Sequence, residues 1–425
     1  MSHHDSSGPT AEQALSTIGG RVPVMWLGIW LAAVALGVAG FMMTVGDDPQ
    51  RAWMSVWSNY LMWTSVGMAG VAFGAVLQAA KGHWGKGFRR LAEASGAFLP
   101  LSLILFFFLR RGYEHIFPWI GEVETEHLNR TWLNVDGVFM RNAILLTVLY
   151  AVFFLFMWYS IRSDAPLLAE RHTGWRKAFT SFFARGWRGD EEEAARARAI
   201  LGRLSPVLIL AWAVVASLFS IDFGMSLTPG FVSMIWGPIY FIGGWLSMLA
   251  IIAIMANHYN SRYAELSLWG KYQFHDLGKL MFAFVVFWTY IWFAQFLVIW
   301  YGNIPREVNW FEPRALGPFK GLFWLQMILI FAIPFPLLLG RNPKMKPRWL
   351  AFVACIILAG FWVERYNMVA PSIWHGEGLP LGLPEAMISL GFLGAFGLCY
   401  AAYVTTFSKV PIRETIAVGS AGQGP

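Results

Sequence analysis

The chain has 425 residues, of which 57% are hydrophobic and only 13% carry a charged side chain. Soluble globular proteins contain about 25% charged residues, because a surface that faces water needs them. This shortage excludes an ordinary soluble protein and indicates one that lies in a membrane. The formal net charge of +7 does not require a nucleic-acid partner, since anionic lipid favours an excess of basic residues near the membrane surface.

Ten apolar segments are long enough to cross a bilayer. A helix rises about 1.5 Å per residue, so about 20 apolar residues span a hydrocarbon core of about 30 Å. Helices are expected because lipid cannot hydrogen-bond exposed backbone groups. The sequence therefore predicts an all-α polytopic membrane protein with spans at 22–45, 53–80, 91–109, 138–161, 204–223, 231–257, 277–301, 318–340, 349–366 and 383–407.

Lysine and arginine residues are distributed unequally between the two sides of the predicted membrane domain. The side with both chain termini carries 22 of the 32, and the opposite side carries 6. Basic loops are retained in the cytoplasm. We therefore expect a multi-pass protein with both termini in the cytoplasm. This side is called the inner side below, and the opposite side the outer side.

Three segments are predicted to lie outside the membrane on the inner side. Residues 1–21 form a polar N-terminus that is expected to be disordered. Residues 162–203 connect spans 1–4, which occupy 22–161, to spans 5–10, which occupy 204–407. Within this connection, Gly189 to Arg196 indicate the start of a short amphipathic surface helix. Residues 408–425 form the C-terminal tail.

Small residues and prolines indicate how the spans pack. Pro334 and Pro336 are expected to kink span 8, because proline interrupts the helical hydrogen bonds. Two glycine pairs are expected to let neighbouring helices approach closely. They are Gly70 with Gly74 in span 2, and Gly243 with Gly244 in span 6.

The spans contain no residue pattern for a redox cofactor. None of the nine histidines lies in the middle of a predicted span, and membrane haem needs axial ligands such as His at that depth. Cys355 and Cys399 do not have a metal-ligand spacing and are expected to be packing residues. We therefore expect no directly bound cofactor, so that a partner or a diffusible carrier would hold any electrons.

Ionisable residues within spans are costly and usually face a protein interior or water. A first group is predicted at the outer ends of the early spans. Such a group could bind a quinone head, which needs hydrogen-bond donors and a proton-accepting carboxylate. An ion pair of Arg141 with Asp136 or Asp222 is the structural alternative. Arg141 and Asn142 diverge by about 100° around a helix, so they are not expected to face one partner squarely. The candidates are Asn59, Tyr60, Asp136, Arg141, Asn142 and Asp222.

A second group lies at the inner side and a third lies deeper. The inner group could be a proton entrance, or a solvated helix end with Lys279 extended towards water. Glu364, next to Arg365, is expected at the outer interface, and Tyr290 and Gln295 could be steps of a proton pathway or could bond across helices. The inner candidates are Glu93, His258, His275, Asp276 and Lys279, and the deeper ones are Tyr290, Gln295, Gln326 and Glu364.

Several stretches carry a resemblance to a known family. Residues 277–307, LGKLMFAFVVFWTYIWFAQFLVIWYGNIPRE, closely resemble the ActF family of membrane subunits of bacterial alternative complex III. The stretches 220–226 (SIDFGMS), Pro229-Gly230 and 237–241 (GPIYF) are similar to that family and to its sister ActC. Both belong to the NrfD-like, or polysulfide-reductase anchor, family.

The resemblance implies two four-helix bundles, spans 2–5 and 6–9, flanked by spans 1 and 10. It implies a subunit of a quinol:cytochrome c or copper-protein oxidoreductase in the bacterial cytoplasmic membrane, with a quinone or menaquinone pocket, a proton pathway, or both. The subunit itself would not be a catalyst, since haem c and iron–sulfur clusters would be in partners. The implied partners are an ActC-like ten-span subunit, an iron–sulfur subunit, multihaem and monohaem cytochrome c subunits, and lipids.

Two hypotheses that assign the protein to other functional classes remain open. A secondary transporter would have broken helices at corresponding places in its two halves, whereas only span 8 has a clear proline pair. A purely structural anchor would use every polar group named above for packing at interfaces.

Overall fold

The computed structural model describes residues 11–18, 20, 22–120, 131–263, 268–376 and 378–413, with side chains from residue 14 onward. Helices make up most of these residues, and no strand lies among them. Residues 121–130, in the outer connection between spans 3 and 4, lie outside the described residues, as do the ends of both termini.

Ten helices in the described ranges are long and apolar enough to cross a membrane. The predicted all-α polytopic fold is therefore confirmed. Their ends lie beyond several predicted ones because the helices continue past the apolar run. Spans 1 to 10 are Val24–Val45, Pro49–Ala79, His83–Ile116, Val135–Arg162, Asp190–Leu227, Trp236–Arg262, Lys271–Gly302, Lys320–Leu339, Pro347–Ile373 and Leu383–Thr406.

Two spans are interrupted within the membrane domain. Span 8 changes to a π-helical segment at Ile328–Ala332 and returns to an α-helix at Pro334. The predicted interruption of span 8 is therefore confirmed. It arises because Pro334 has no N–H to donate to the preceding turn. Span 3 includes a 3-10 turn at Gly96–Phe98 between α-helices Arg89–Ser95 and Leu99–Leu109.

The spans form two four-helix bundles with a shared centre. Spans 2–5 pack together, spans 6–9 pack together, and span 2 joins the bundles through spans 6 and 9. In the most apolar part of each helix, 94% of the residues of span 2 and 83% of those of span 6 are buried, against 11% for span 1. Spans 1 and 10 pack on each other beside span 2.

Close approaches between spans depend on glycine, as predicted. A Cβ at Gly244 would lie 2.7 Å from Ser65 Cβ, and a Cβ at Gly70 would meet the backbone carbonyl of Ala92. Gly37 and Gly391 approach backbone to backbone and bring span 1 against span 10. These contacts bring three pairs of helices closer than residues with larger side chains would allow.

The inner segments differ from the predictions. Part of the expected disordered N-terminus forms the helix Ala11–Ser16, with Ala14 fully buried. The expected separate surface helix near residue 189 is wrong, because the helix from Asp190 runs without a break into span 5. Residues 408–410 and 412 of the tail are buried. The shorter helices are Ala165–Arg171, Gly174–Phe183, Pro305–Ala315 and Arg341–Lys344.

Candidate functional site

The buried carboxylate of Asp222 is the centre of a polar cluster at the outer ends of spans 4 and 5. Arg141 donates to it from Nε and from Nη2, each over 2.9 Å. Asn142 Nδ2 donates over 2.6 Å and Trp132 Nε1 over 3.0 Å. Asp222 is fully buried, whereas the Arg141 side chain is 20% exposed. The donors and the cation compensate a charge that burial would otherwise penalise.

The expectation that Arg141 and Asn142 would not share a partner is wrong. Asn142 faces Asp222 directly from span 4, and the longer Arg141 side chain reaches the same carboxylate from its neighbouring position. The indole of Trp132 covers the Arg141 guanidinium, 3.9 Å from it. A flexible side chain held by an aromatic ring thus overcomes the angular difference between adjacent helix positions.

Three of the six predicted outer residues, Asn59, Tyr60 and Asp136, do not bond to Asp222, and the Tyr60 hydroxyl has no partner among the described residues. Asn59 donates to Ser389 Oγ over 3.0 Å and accepts from Trp362 Nε1 over 3.3 Å, so it lies where spans 2, 9 and 10 meet. Asp136 is exposed and accepts a hydrogen bond from Arg110 over 3.2 Å. Asn59 therefore has a helix-packing role, and Asp136 a surface one.

Glu93 is the centre of a second buried cluster, at the inner end of span 3. Arg90 Nη1 donates to it over 2.8 Å, Ser160 Oγ over 2.5 Å and Tyr403 Oη over 3.0 Å. Arg90 also donates to Asp164 over 2.7 Å. Of this cluster only Glu93 was predicted, because the apolar run of span 3 begins at residue 91 and the arginines before it look like part of a loop.

The other predicted inner residues lie in two separate places. Lys279 and Asp276 form an ion pair of 2.7 Å at the start of span 7, where Lys279 is 57% exposed, and His275 Nδ1 is 3.9 Å from Asp276. His258 lines a cavity on another face. None of the four is a partner of Glu93 in the described residues, so the five inner candidates do not form one group, and the exposed Lys279 agrees with the alternative of a solvated helix end.

The deeper candidates do not form one chain. Tyr290 is 65% exposed on the surface of span 7. Gln295 accepts a hydrogen bond from Ser233 over 2.5 Å and thus bonds across helices. Gln326 accepts a hydrogen bond from Asn367 over 3.1 Å.

Glu364 and Arg365 were expected at the outer interface, but both side chains are buried within the protein. They form a pair of 2.5 Å with both side chains at most 5% exposed. Arg365 also donates to the backbone oxygen of Tyr240 over 2.7 Å. Glu364 lines a small cavity of about 20 Å³ in the second bundle, where one water could fit.

Three buried hydroxyls form the hydroxyl row between the two carboxylate clusters of the first bundle: those of Tyr60 and Thr64 on span 2 and of Ser95, which lies beside Gly70. Tyr60 and Thr64 lie one turn apart on span 2, and the Tyr60 ring is 6.1 Å from that of Phe219. A buried hydroxyl normally has a hydrogen-bond partner, which is water where the protein supplies none. Within the first bundle, the buried hydroxyls without a hydrogen-bond partner among the described residues belong to these three residues and to Ser55 and Tyr113 at its outer end.

Span 2 connects the level of Asp222 to that of Glu93. Trp57 Nε1 donates to the backbone oxygen of Phe223 over 2.8 Å, next to Asp222. At the other end, a Cβ at Gly74 would lie 3.5 Å from Glu93 Oε1. Residues 57 to 74 extend over about 25 Å of helix. The hydroxyl row therefore lies along most of the distance between the carboxylates.

A larger cavity lies between spans 1, 6 and 10 near the inner side. Its volume is about 430 Å³, and most of its wall is apolar. Its polar edge is formed by His258, Arg262, Tyr263 and Lys409. No local sequence pattern indicates this cavity, since its walls come from both ends of the chain and from the middle.

Comparison of the chain with family models and with curated proteins found no match. The fold and the polar clusters define the class as an all-α, ten-span membrane protein with buried ion pairs at both ends of its first bundle. The described residues contain no group of three His, Cys, Asp or Glu side chains that could hold a metal ion.

Proposed function

We propose that this protein is an integral subunit of a quinol:electron-acceptor oxidoreductase complex in the bacterial cytoplasmic membrane, and that its first bundle conducts protons. The resemblance of residues 277–307 to the ActF family suggests the complex. The hydroxyl row between the Asp222 and Glu93 clusters supports proton conduction, and it is the observation on which this role depends.

Proton conduction needs groups that exchange protons and are close enough to be linked by water. Asp222 and Glu93 are carboxylates at opposite ends of one bundle, and the unpaired hydroxyls of Tyr60, Thr64 and Ser95 lie between them. Ser102 and Tyr150 are hydrogen-bonded over 2.8 Å across spans 3 and 4 and could extend the row. Water bound to these hydroxyls would connect the two carboxylates.

A quinone head beside Asp222 is a second candidate role. The site offers a carboxylate that can accept a proton and an amide donor, Asn142, that can bind a carbonyl oxygen. Asp222 accepts four hydrogen bonds, so a quinol would have to displace one donor. Trp132 is the most exposed of these donors, at 39%, and would be the one to move.

The alternative hypotheses, a secondary transporter and a purely structural anchor, have less support. A transporter would interrupt corresponding spans of its halves, but span 4, which corresponds to the interrupted span 8, is one continuous helix, Val135–Arg162. A purely structural anchor would not need unpaired hydroxyls inside its most buried helix.

Co-purification tests membership in a complex. The protein is tagged at its C-terminus, solubilised in mild detergent and analysed by mass spectrometry and visible spectroscopy. We expect a second ten-span subunit, an iron–sulfur protein, and multihaem and monohaem c-type cytochromes. A colourless single chain would contradict the proposal.

Proton transfer is tested on the complex isolated through this tag and reconstituted in liposomes with quinol and an electron acceptor. Glu93→Gln and Tyr60→Phe should each reduce protons moved per electron, because each removes one proton-exchanging group. Asp136→Asn is the control, since Asp136 is exposed and outside the row. An unchanged ratio in both variants would refute conduction through this bundle.

A further inference from the structure

The cavity between spans 1, 6 and 10 combines an apolar interior with a basic edge. Trp26, Trp30 and Phe396 are among its wall residues, and Trp26 is 41% exposed near the inner end of span 1. The cavity therefore reaches the lipid-facing surface at the depth of the interface, where Trp is favoured. Its volume of about 430 Å³ is within the range of small-molecule sites, about 300–1,000 Å³.

Lys409 is a buried cation at the polar edge of this cavity. It is 2% exposed, and its ammonium donates to the backbone oxygen of Thr17. The charged groups that act on it are Arg262 and Arg176, and no carboxylate of the described residues is among them. Burial and these two arginines lower the pKa of Lys409 to about 8. A buried ammonium without an anion is costly.

Other nitrogen-bearing side chains lie close to Lys409. His172 is 5% exposed, and both of its ring nitrogens are unpaired among the described residues. Burial, Arg176 and Lys409 lower its pKa. Arg262 lines the cavity and is exposed. The edge therefore presents cations, and donors such as Tyr263 Oη, to one small space next to Gly20.

We propose that this cavity binds an anionic phospholipid of the inner leaflet, with one acyl chain between spans 1, 6 and 10 and the phosphate on Lys409 and Arg262. The phosphate supplies the counter-charge that the described residues do not provide. The apolar wall complements the chain, and the inner leaflet is rich in anionic lipid. A quinone would fit the apolar wall but has a neutral head, which leaves the ammonium uncompensated.

The test compares lipid retention by the full-length protein in detergent micelles doped with phosphatidylglycerol or with phosphatidylcholine of the same chains. Native mass spectrometry counts bound lipid. Wild type should prefer phosphatidylglycerol by about tenfold or more, because each cation near the headgroup favours it severalfold. K409Q/R262Q should lose this preference. K346Q/R348Q, which removes two exposed inner bases that do not line the cavity, should keep it.

A second variant distinguishes the effect of the cavity's shape on lipid retention from the effect of surface charge. Ala401 lines the cavity, so Ala401→Phe should fill part of it and reduce retention of both lipids while all the cations remain. A monodisperse gel-filtration peak and an unchanged circular dichroism spectrum show that each variant is folded. Equal retention of the two lipids by wild type would overturn the proposal. So would full phosphatidylglycerol retention by Ala401→Phe, or a bound quinone in place of phospholipid.

Discussion

Several buried charges in this protein are compensated by a partner of opposite charge. Asp222 is held by Arg141 from span 4, and Glu93 by Arg90 from its own span. Removing one member of such a pair leaves the other without compensation, which costs more than the pair contributes. Lys409 differs from these residues because the described part of the chain provides it with no anion.

Replacing Arg141 with Ala should lower stability by about 2–5 kcal/mol, because Asp222 keeps a buried charge without its cation. Thermal unfolding in detergent measures this loss. Arg110→Ala is the matched control. Its partner Asp136 is 89% exposed, so that pair should contribute only about 0–1 kcal/mol. Equal losses in both variants would contradict the structural importance of the Asp222 cluster.

Stability should depend on pH through Lys409. Its folded-state pKa of about 8 is below its ordinary value of 10.5, so between these values the unfolded chain binds more protons than the folded one. Stability therefore rises with pH across this window. In delipidated protein, the melting temperature of wild type relative to Lys409→Gln should increase from pH 8 to 10.5. A difference that is constant with pH would show that Lys409 does not titrate in this window.

At the scale of single helices, glycine determines which spans touch. Span 1 is the least buried of the ten spans in the described residues, yet it packs along span 10 because Gly37 and Gly391 allow their backbones to meet. Between such apolar surfaces lipid provides no hydrophobic driving force, so close packing contributes most of the association. The pair also forms two walls of the lipid cavity, through residues such as Trp30 and Phe396.

Replacing Gly37 with Leu should separate spans 1 and 10 and destabilise the protein by about 1–3 kcal/mol, the usual cost of overpacking. Gly28→Leu is the control on the same helix, since a Cβ at Gly28 would meet nothing within 4 Å. The melting temperatures of the two variants in detergent make the comparison. If Gly37→Leu unfolded no earlier than Gly28→Leu, the close contact would have no energetic importance.

At the scale of the whole molecule, hydrogen bonds connect the inner ends of the first bundle to the C-terminal tail. Arg90 connects span 3 to Ser160 and Asp164, and Asp164 accepts hydrogen bonds from the backbone of Ile412 and Arg413. Tyr403 of span 10 joins the same network through Glu93. One buried arginine thus helps hold spans 3, 4 and 10 and the tail in register.

Arg90→Leu should cost about 3–5 kcal/mol, because it leaves two buried carboxylates short of their cation. It should also loosen the tail, which limited proteolysis near residue 413 would detect. The control is Arg188→Leu, whose pair with Glu192 is 59% exposed on both side chains. Protection of the tail equal to wild type in Arg90→Leu would contradict this role.

The sequence was a good guide to properties that are local in the chain. The ten spans, the interruption at Pro334 and the close approaches at Gly70 and Gly244 were predicted. It failed where position depends on packing: Asp136 and Tyr290 both proved to be exposed surface residues. Side-chain exposure depends on which neighbours a helix meets, and one sequence does not specify them.

The sequence by itself determined the membrane fold, because a run of about 20 apolar residues can be satisfied in lipid only as a helix. Only the tertiary structure decided which polar groups meet. Asp222 and Arg141 are 81 positions apart, and Lys409 and Thr17 are 392 apart. Such pairs depend on the rotation and neighbours of each helix, which follow from packing across the whole bundle.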